Sequence, residues 1–196
     1  MTIINISSLL IHGQEEEHKN LAWKFWGYLC GPLFVNRKRV RLVDGRQGAN
    51  HVFTKTEEFF KEIKGEGVNQ QVVVLYVGHG GNGYMSLNHQ PLPYDEWSRL
   101  FPHGVDSVFI NASCRSGSSI PAFRKIGLLP THGLILAACR SSEDADAGQY
   151  LDNVISSFMN GEPYKERIIH VYGEPKPLVM HPMRSGKNID YLLFTI

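Results

Sequence analysis

Apolar residues are grouped along this chain in two ways, as unbroken runs and as stripes that recur every three or four positions. An unbroken run covers residues 72–77 (VVVLYV), and two further short, mainly apolar segments cover residues 107–110 (SVFI) and 133–138 (GLILAA). Such runs are typical of strands that are covered on both faces, so these segments predict a buried sheet. Two further segments, an apolar one over residues 3–11 and an alternating one over residues 39–43, predict additional strands.

Helices are predicted where the apolar positions follow the helical repeat. Residues 15–29 carry such a stripe, with acidic residues in the first turn. A second helix is expected to begin at Thr54, because Glu57 three residues later completes a capping box. Residues 145–159 predict a third long helix. Shorter elements are also predicted: a hairpin over residues 84–92, short helices over 94–100 and from Ser119, and a last strand over 191–196.

This order of elements predicts the fold class. Buried strands that alternate with helices are typical of an α/β fold with a mostly parallel central sheet. No repeat or linker divides residues 1–196, so we expect a single domain. Ligands of such sheets bind beyond the carboxyl ends of the strands. The residues that directly follow the buried strands are therefore the first candidates for a functional site.

The composition excludes several classes of protein. Of the 196 residues 42% are hydrophobic, enough to form a core without disulfides or a structural metal. The net charge of +1 gives no reason to expect a nucleic acid partner, and we interpret the basic run over residues 36–41 as a solvated loop and strand edge. No apolar run reaches the roughly 20 residues of a membrane span, so no membrane association is expected.

The three cysteines, Cys30, Cys114 and Cys139, have no short paired spacing, which is typical of a reducing compartment. The first residues lack the positive charge and the uninterrupted apolar stretch of a signal peptide. We therefore expect a cytoplasmic protein. The nine histidines show no pairing such as H-x-x-x-H, so no metal site is predicted, and no cofactor is expected.

The first strand end with unusual chemistry is the GHGGNG segment, residues 78–83, directly after the strand over 72–77. Its spacing matches the glycine fingerprint of dinucleotide sites, but Pro91 and Pro93 follow where a helix would have to run. We therefore interpret the segment as a turn that places His79 between glycines. The histidine either closes this turn or faces a substrate that the glycines allow to approach closely.

The second such strand end carries Cys114, which follows the strand over residues 107–110. A short helix is expected from Ser119, with Pro121 in its first turn. The positive end of this helix and the charge of Arg115 would lower the pKa of the thiol. The alternative is that Cys114 is a small buried residue, as we expect for the other two cysteines.

His79 and Cys114 would lie at one edge of the sheet if their strands are neighbours. A thiol beside an imidazole is the minimum needed for covalent acyl transfer, since the base removes the proton from sulfur and later returns it to the leaving amine. Backbone N–H groups at Cys114 and at a glycine beside His79 would then form an oxyanion hole.

Three blocks in order, YVGHGG, SCRSG and LILAACRSSEDADAG, resemble the histidine, nucleophile and small-subunit blocks of the caspase-like cysteine peptidases. Within that family they resemble the metacaspases and the bacterial and fungal caspase-like proteins, and PKPLVMHP is similar to a late strand of the family. The resemblance covers about residues 70–182. It implies a caspase-hemoglobinase fold of about six mostly parallel strands between helices, and hydrolysis of peptide bonds in a protein or peptide substrate.

The resemblance also implies roles for individual residues. His79 would be the general base and acid, Cys114 the nucleophile, and the N–H groups of Gly80 and Cys114 the oxyanion hole. Metacaspases carry an aspartate two residues before the nucleophile, which receives a basic substrate side chain, whereas this chain has Ala112 there. Ala112 and Ala138 are the predicted substrate contacts.

The charge preference of the substrate site stays open at this stage. An acid after the third buried strand would favour a basic substrate side chain, whereas Arg140 would favour an acidic one. The candidate acids are Glu143, Asp144 and Asp146. The short segment between Cys114 and Gly133 predicts a single-chain protein, with Arg124 and Lys125 as the candidate cleavage sites. The acidic cluster that binds calcium in some metacaspases is not recognisable.

Two other hypotheses also stay open. The chain would be a non-catalytic or partner-activated caspase-like interaction domain if its pocket is blocked or if its activity depends on a partner. The missing acid favours this weakly, whereas the intact pair of Cys114 and His79 argues against it. A nucleotide-binding α/β domain would instead be stabilised by a nucleotide and show no dependence on a thiol.

Overall fold

The structure is a computed structural model that describes residues 5–64, 70–129, 132–160, 169–171 and 178–186. Its strands are β1 (Asn5–His12), β2 (Val40–Asp44), β3 (Gln70–Val77), β4 (His79–Gly81), β5 (Tyr84–Leu87), β6 (Gln90–Pro93), β7 (Asp106–Ala112), β8 (Gly133–Ala137), β9 (Ile169–Val171), β10 (Leu178–Met180) and β11 (Met183–Gly186). Its helices are α1 (Glu16–Cys30), α2 (Ala49–Lys64), α3 (Tyr94–Trp97), α4 (Ile120–Lys125) and α5 (Ala147–Met159).

A six-stranded sheet forms the centre of the molecule, in the order β11-β8-β7-β3-β1-β2. The strands from β2 to β8 in this order pair in parallel, and β11 pairs antiparallel with β8. The predicted α/β fold with about six mostly parallel strands is therefore confirmed. The predicted strand over residues 191–196 lies outside the described residues, and β11 provides the sixth strand.

Helices cover both faces of this sheet. Successive residues of a strand point to opposite faces, and the central strands place apolar side chains on both. Leu10, Leu75, Ile110 and Leu136 pack with residues of α1 and α5, whereas Leu9, Val74, Phe109 and Ile135 pack with residues of α2, α3 and α4. Because both faces of these strands are buried, their sequences consist mainly of apolar residues and do not alternate with polar ones. None of the helices within the described ranges is both long and apolar enough to cross a membrane.

Helix α2 begins at Ala49, so the prediction that Thr54 starts it is wrong. The apolar stripe already begins at Val52, which is fully buried. The backbone N–H of Ala49 donates to the side-chain oxygen of Gln90, at 3.1 Å. A distant side chain therefore satisfies the start of the helix, and the local capping pattern at Thr54 and Glu57 is not used.

A second, smaller sheet follows β3 at the edge where the candidate residues lie. Strands β4, β5 and β6 form an antiparallel three-stranded sheet, with His79 opposite Ser86 and Gly80 opposite Met85. The predicted hairpin over residues 84–92 is confirmed by β5 and β6. Residues 78–83 thus lead into a hairpin and not into a helix, which agrees with the prediction that they are not a dinucleotide fingerprint.

Candidate active site

The register of the central sheet brings the two candidate strand ends together. In the parallel pair of β3 and β7, Val77 lies opposite Ala112. His79 and Cys114 each follow these paired residues by two positions, and the N–H of Gly78 donates to the carbonyl of Ala112 at 3.4 Å. The condition stated for the two strands, that they are neighbours, is thus met, and both residues leave the sheet at the same edge.

Gly80 fits closely against the loop that carries Cys114. A Cβ atom at this position would collide with the backbone carbonyl oxygen of Cys114 and would lie 2.6 Å from the hydroxyl of Ser113. Ser118 joins the same two segments, because its hydroxyl accepts from the N–H of Gly83 at 2.9 Å and lies 3.3 Å from the carbonyl of Gly81. Residues 78–83, the histidine segment, and residues 113–119, the cysteine loop, therefore form one contiguous surface.

Buried polar side chains support this surface from below. The hydroxyl of Tyr76, which is fully buried, lies 2.5 Å from the carbonyl oxygen of His79. Under the cysteine, Ser113 donates to the side chain of Asn111 at 2.8 Å, and Asn111 donates to the hydroxyl of Tyr94 at 2.9 Å. Burial raises the pKa of both tyrosine hydroxyls, that of Tyr94 to about 12. Tyr76 and Tyr94 are therefore neutral near neutral pH, and each hydroxyl can both donate and accept.

The imidazole of His79 is paired with a carboxylate. Its Nε2 atom lies 2.5 Å from Oε1 of Glu15, and 48% of each side chain is exposed. The hydrogen bond from His79 lowers the pKa of Glu15, which is therefore ionised at neutral pH and can only accept. Nε2 thus carries the ring proton in a neutral His79, and Nδ1 is left as the basic nitrogen.

His18 is a third member of this group. Its ring meets that of His79 edge-on, with 5.0 Å between the ring centroids, and its Nε2 lies 3.8 Å from Oε2 of Glu15. Burial lowers the pKa of His18, so the ring is neutral near neutral pH. Neither Glu15 nor His18 is among the residues predicted from the sequence, although their spacing, Glu-x-x-His at the start of a helix, is a signal that points to them.

Cys114 is half-buried under the loop that follows β8. Its sulfur accepts from the N–H of Ala145 at 3.4 Å and lies 3.9 Å from the carbonyl of the same residue. Burial raises the pKa of the thiol, the Ala145 N–H opposes this, and the charge of Asp144 adds to the increase. The expected lowering by helix α4 is therefore wrong, because a 3₁₀ turn over Ser116–Ser119 separates the cysteine from that helix.

The expectation that the charge of Arg115 lowers the pKa of the Cys114 thiol is wrong as well, since the groups that shift this pKa are, together with burial, Ala145, Asp144 and Cys139. The side chain of Arg115 is exposed, and its backbone has the left-handed conformation, with φ of 55°. This backbone conformation is uncommon for residues other than glycine, and it turns the chain sharply after the cysteine. The backbone N–H of Arg115 donates to the carbonyl of Glu143 at 2.7 Å, which ties the turn to the loop after β8.

Cys139 is a structural residue, as predicted. It is fully buried, its N–H donates to the hydroxyl of Ser116 at 3.1 Å, and its carbonyl accepts from Gly117 at 2.9 Å. Cys30 lies half-buried on α1, and burial raises the pKa of both thiols. All three cysteines are free thiols.

The two members of the predicted dyad follow the paired ends of β3 and β7, but their side chains bond to different partners. In the part of the chain that the structure describes, the imidazole of His79 bonds to Glu15 and the thiol of Cys114 to Ala145, and neither bonds to the other. Ala112 and Ala138, the predicted substrate contacts, are fully buried and pack in the core beside α1 and α5. Their methyl groups are thus withdrawn from the surface that a substrate would meet.

The acids after β8 have different surroundings. Glu143 accepts from Nδ1 of His181 at 2.8 Å, and the side chain of Asp146 accepts from the N–H of Gln149 at the start of α5. Asp144 is exposed and lies close enough to Cys114 to raise the pKa of its thiol. Of the three candidate acids, Asp144 is therefore the one whose charge acts on the cysteine.

Comparisons with known proteins address the fold. No protein-family model and no curated protein matches this sequence. The crystal structure of caspase-1 from Spodoptera frugiperda is similar with a TM-score of 0.65 at 8% identity, over 93% of this chain and 86% of that chain. A secreted C11 cysteine protease from Bacteroides thetaiotaomicron, solved with an irreversible peptide inhibitor, gives a TM-score of 0.48 at 9% identity, over 80% of this chain and 54% of that chain. The similarity to the caspase-1 structure shows that the chain has a caspase-like fold.

Proposed function

We propose that this protein is a cysteine endopeptidase that uses His79 and Cys114. The observation that carries the proposal is the contact between Gly80 and the cysteine loop at the paired ends of β3 and β7. It supports the proposal because it brings a histidine and a cysteine to one surface, beyond the carboxyl ends of parallel strands, where α/β proteins bind ligands.

In the proposed reaction, Nδ1 of His79 takes the proton of the Cys114 thiol and the thiolate attacks the carbonyl carbon of a peptide bond. The N–H groups of Gly80 and Cys114 stabilise the oxyanion. The protonated imidazole then gives its proton to the leaving amine, and water hydrolyses the acyl-enzyme. Glu15 acts as a positioning residue, because it holds the ring proton on Nε2 and stabilises the imidazolium that forms.

The resting geometry implies a step before the chemistry. The thiol bonds to Ala145 and its pKa is raised, so the cysteine is a neutral thiol until the imidazole reaches it. We propose that a substrate chain displaces the Ala145 contact and brings the sulfur to Nδ1. The exposed carboxylates of Glu15 and Asp144 favour a substrate with a positive side chain next to the bond that is cleaved.

The experiment is the cleavage of a diverse fluorogenic peptide library under reducing conditions, with the natural chain and Cys114→Ala compared. We expect turnover that is lost in the variant, and a preference for Lys or Arg before the cleaved bond. Reducing conditions match the compartment that we propose for the protein, the cytoplasm, where its three thiols would stay free. A preference that is unchanged in Asp144→Asn would contradict the role of that carboxylate.

The second candidate is a non-catalytic or partner-activated caspase-like interaction domain. The separate hydrogen bonds of His79 and Cys114 favour it, since the thiol is not activated in this arrangement. It predicts that neither chain cleaves any peptide of the library, with or without calcium. Turnover that appears only after a protein partner is added would identify the partner-activated form.

A further inference from the structure

We propose that Glu15, His18 and His79 form a binding site for Zn²⁺, and that the bound ion switches His79 off as a base. The ligand atoms of these three side chains all lie within 4.8 Å of one another. Throughout the ranges that the structure describes, this is the only group of at least three potential metal ligands that meets this criterion. The binding itself does not depend on the proposed function, whereas the effect on His79 does.

The donor set fits zinc. Two imidazoles and one carboxylate are a common three-ligand set for this ion, and they leave its fourth position for water. Zinc bonds of roughly 2.0–2.2 Å in a tetrahedron require ligand atoms about 3.3 Å apart. The three ligand atoms lie within 4.8 Å of one another, with 2.5 Å from Nε2 of His79 to Oε1 of Glu15 and 3.8 Å from Nε2 of His18 to the other oxygen, Oε2, so a small rotation of the exposed carboxylate gives this spacing.

The burial of the three residues also fits an ion that enters from solvent. Glu15 and His79 are exposed, so both can turn slightly to surround an ion. His18 is the fixed member, because only 7% of it is exposed and its ring lies against Gly13. In the described part of the chain its buried Nδ1 has no hydrogen-bond partner. Its other nitrogen, Nε2, lies 3.8 Å from Oε2 of Glu15 and is therefore the ligand atom, whereas Nδ1 faces Gly13 and stays out of the site.

The inhibitory effect follows from the two nitrogens of His79. A neutral imidazole has one ring proton, and in the pair with Glu15 it is on Nε2, which leaves Nδ1 as the base. An ion that takes the lone pair of Nε2 moves the ring proton to Nδ1. One proton leaves Nε2 and one joins Nδ1, so the ring stays neutral. With zinc bound, Nδ1 is a donor and can no longer accept the proton of Cys114.

Metal binding is measured on the Cys114→Ala chain, because a thiol can itself bind zinc. Zn²⁺ is titrated by calorimetry, and Co²⁺ is added as a spectroscopic probe whose visible absorption reports on its ligands. We expect one ion per chain. His18→Phe, which keeps an aromatic ring, and Glu15→Gln, which changes an exposed side chain, each weaken binding at least tenfold, since even the loss of a residue that only supports a ligand costs about 10- to 100-fold.

His103→Gln is the matched control, since this histidine is exposed and lies outside the group. The control should bind Zn²⁺ as the unchanged Cys114→Ala chain does. Equal affinity in the control, His18→Phe and Glu15→Gln would overturn the site. Binding that is present in the natural chain and lost in Cys114→Ala would place the ion on the thiol and overturn it as well.

The effect on His79 is tested on chains that retain Cys114. We expect Zn²⁺ to inhibit peptide cleavage, a chelator to restore it, and His18→Phe to need at least tenfold more zinc for half inhibition. Equal sensitivity of the natural chain and His18→Phe would refute the switch. If chelator-treated protein cleaves no peptide, the proposed peptidase activity fails, but the calorimetry on Cys114→Ala still decides whether the ion binds.

Discussion

Replacement of Gly80 by alanine tests the contact on which the candidate site depends. The added methyl group would meet the carbonyl oxygen of Cys114, the hydroxyl of Ser113 at 2.6 Å and its Cβ at 3.1 Å. The first two atoms belong to a backbone and to a hydroxyl that is already bonded to Asn111, so neither can rotate away. The histidine segment and the cysteine loop therefore have to separate.

The size of the separation gives the expected effect. Ordinary van der Waals contact needs roughly 3.5–4 Å, so relief of the collision moves the two segments apart by about 1 Å. A displacement of about 1 Å costs around 100-fold in rate when it misplaces reacting groups. Overpacking of this kind lowers the free energy of unfolding by about 1–3 kcal/mol, and each kcal/mol lowers the Tm by about 2–4 °C in a chain of this size.

The assays are kcat/KM on a fluorogenic peptide and urea unfolding followed by tryptophan fluorescence. Gly27→Ala is the control, because a Cβ at this exposed position of α1 meets no atom within 4 Å. We expect the control to unfold at the same urea concentration or a higher one, since alanine favours a helix over glycine. A Gly80→Ala chain with unchanged stability and unchanged kcat/KM would refute the close approach of the two segments.

Three further predictions concern the chemistry and the support of the site. Because burial raises the pKa of Cys114, iodoacetamide should label it more slowly at pH 7.5 than it labels a small thiol peptide, and the midpoint of its pH–rate profile should lie above that of the peptide. Asp144→Asn should shift that midpoint down, and labelling at pH 7.5 as fast as that of the peptide would contradict the raised pKa. Glu15→Gln should lower kcat/KM about two- to fivefold, as expected for an exposed pair worth roughly 0.5–1 kcal/mol, and a larger loss in high salt would argue against an electrostatic role. Thr56→Val should lower the free energy of unfolding by about 1–3 kcal/mol in urea titrations, because the buried hydroxyl accepts from the indole N–H of Trp97 at 3.1 Å, whereas an unchanged midpoint would show that the indole finds another partner.

The sequence predicts the parts of the fold that depend on local pattern. The central strands can be recognised in the sequence because each is buried on both faces and consists mainly of apolar residues. The placement of His79 and Cys114 at one edge follows from the parallel pairing of β3 and β7. Both residues come directly after such strands, so their approximate position needs no information from distant parts of the chain.

The features that the sequence could not predict depend on contacts between distant segments. The start of α2 is satisfied by Gln90, which lies 41 positions from Ala49 in the sequence. The pKa of Cys114 depends on Ala145 and the loop that covers the sulfur, and no pattern near the cysteine indicates this cover. The pair of His79 and Glu15 joins residues that are 64 positions apart.

The hydrogen bonds of Ser118 to Gly81 and Gly83 have a consequence for how the effect of a destabilising substitution should be measured. They connect the histidine segment to the cysteine loop directly, without passing through the core behind α2. If the protein is the proposed peptidase, a destabilising change in that core should therefore reduce the number of folded molecules and leave the kcat of each one unchanged. Active-site titration with a tight-binding inhibitor separates these two quantities, which a specific activity per milligram combines.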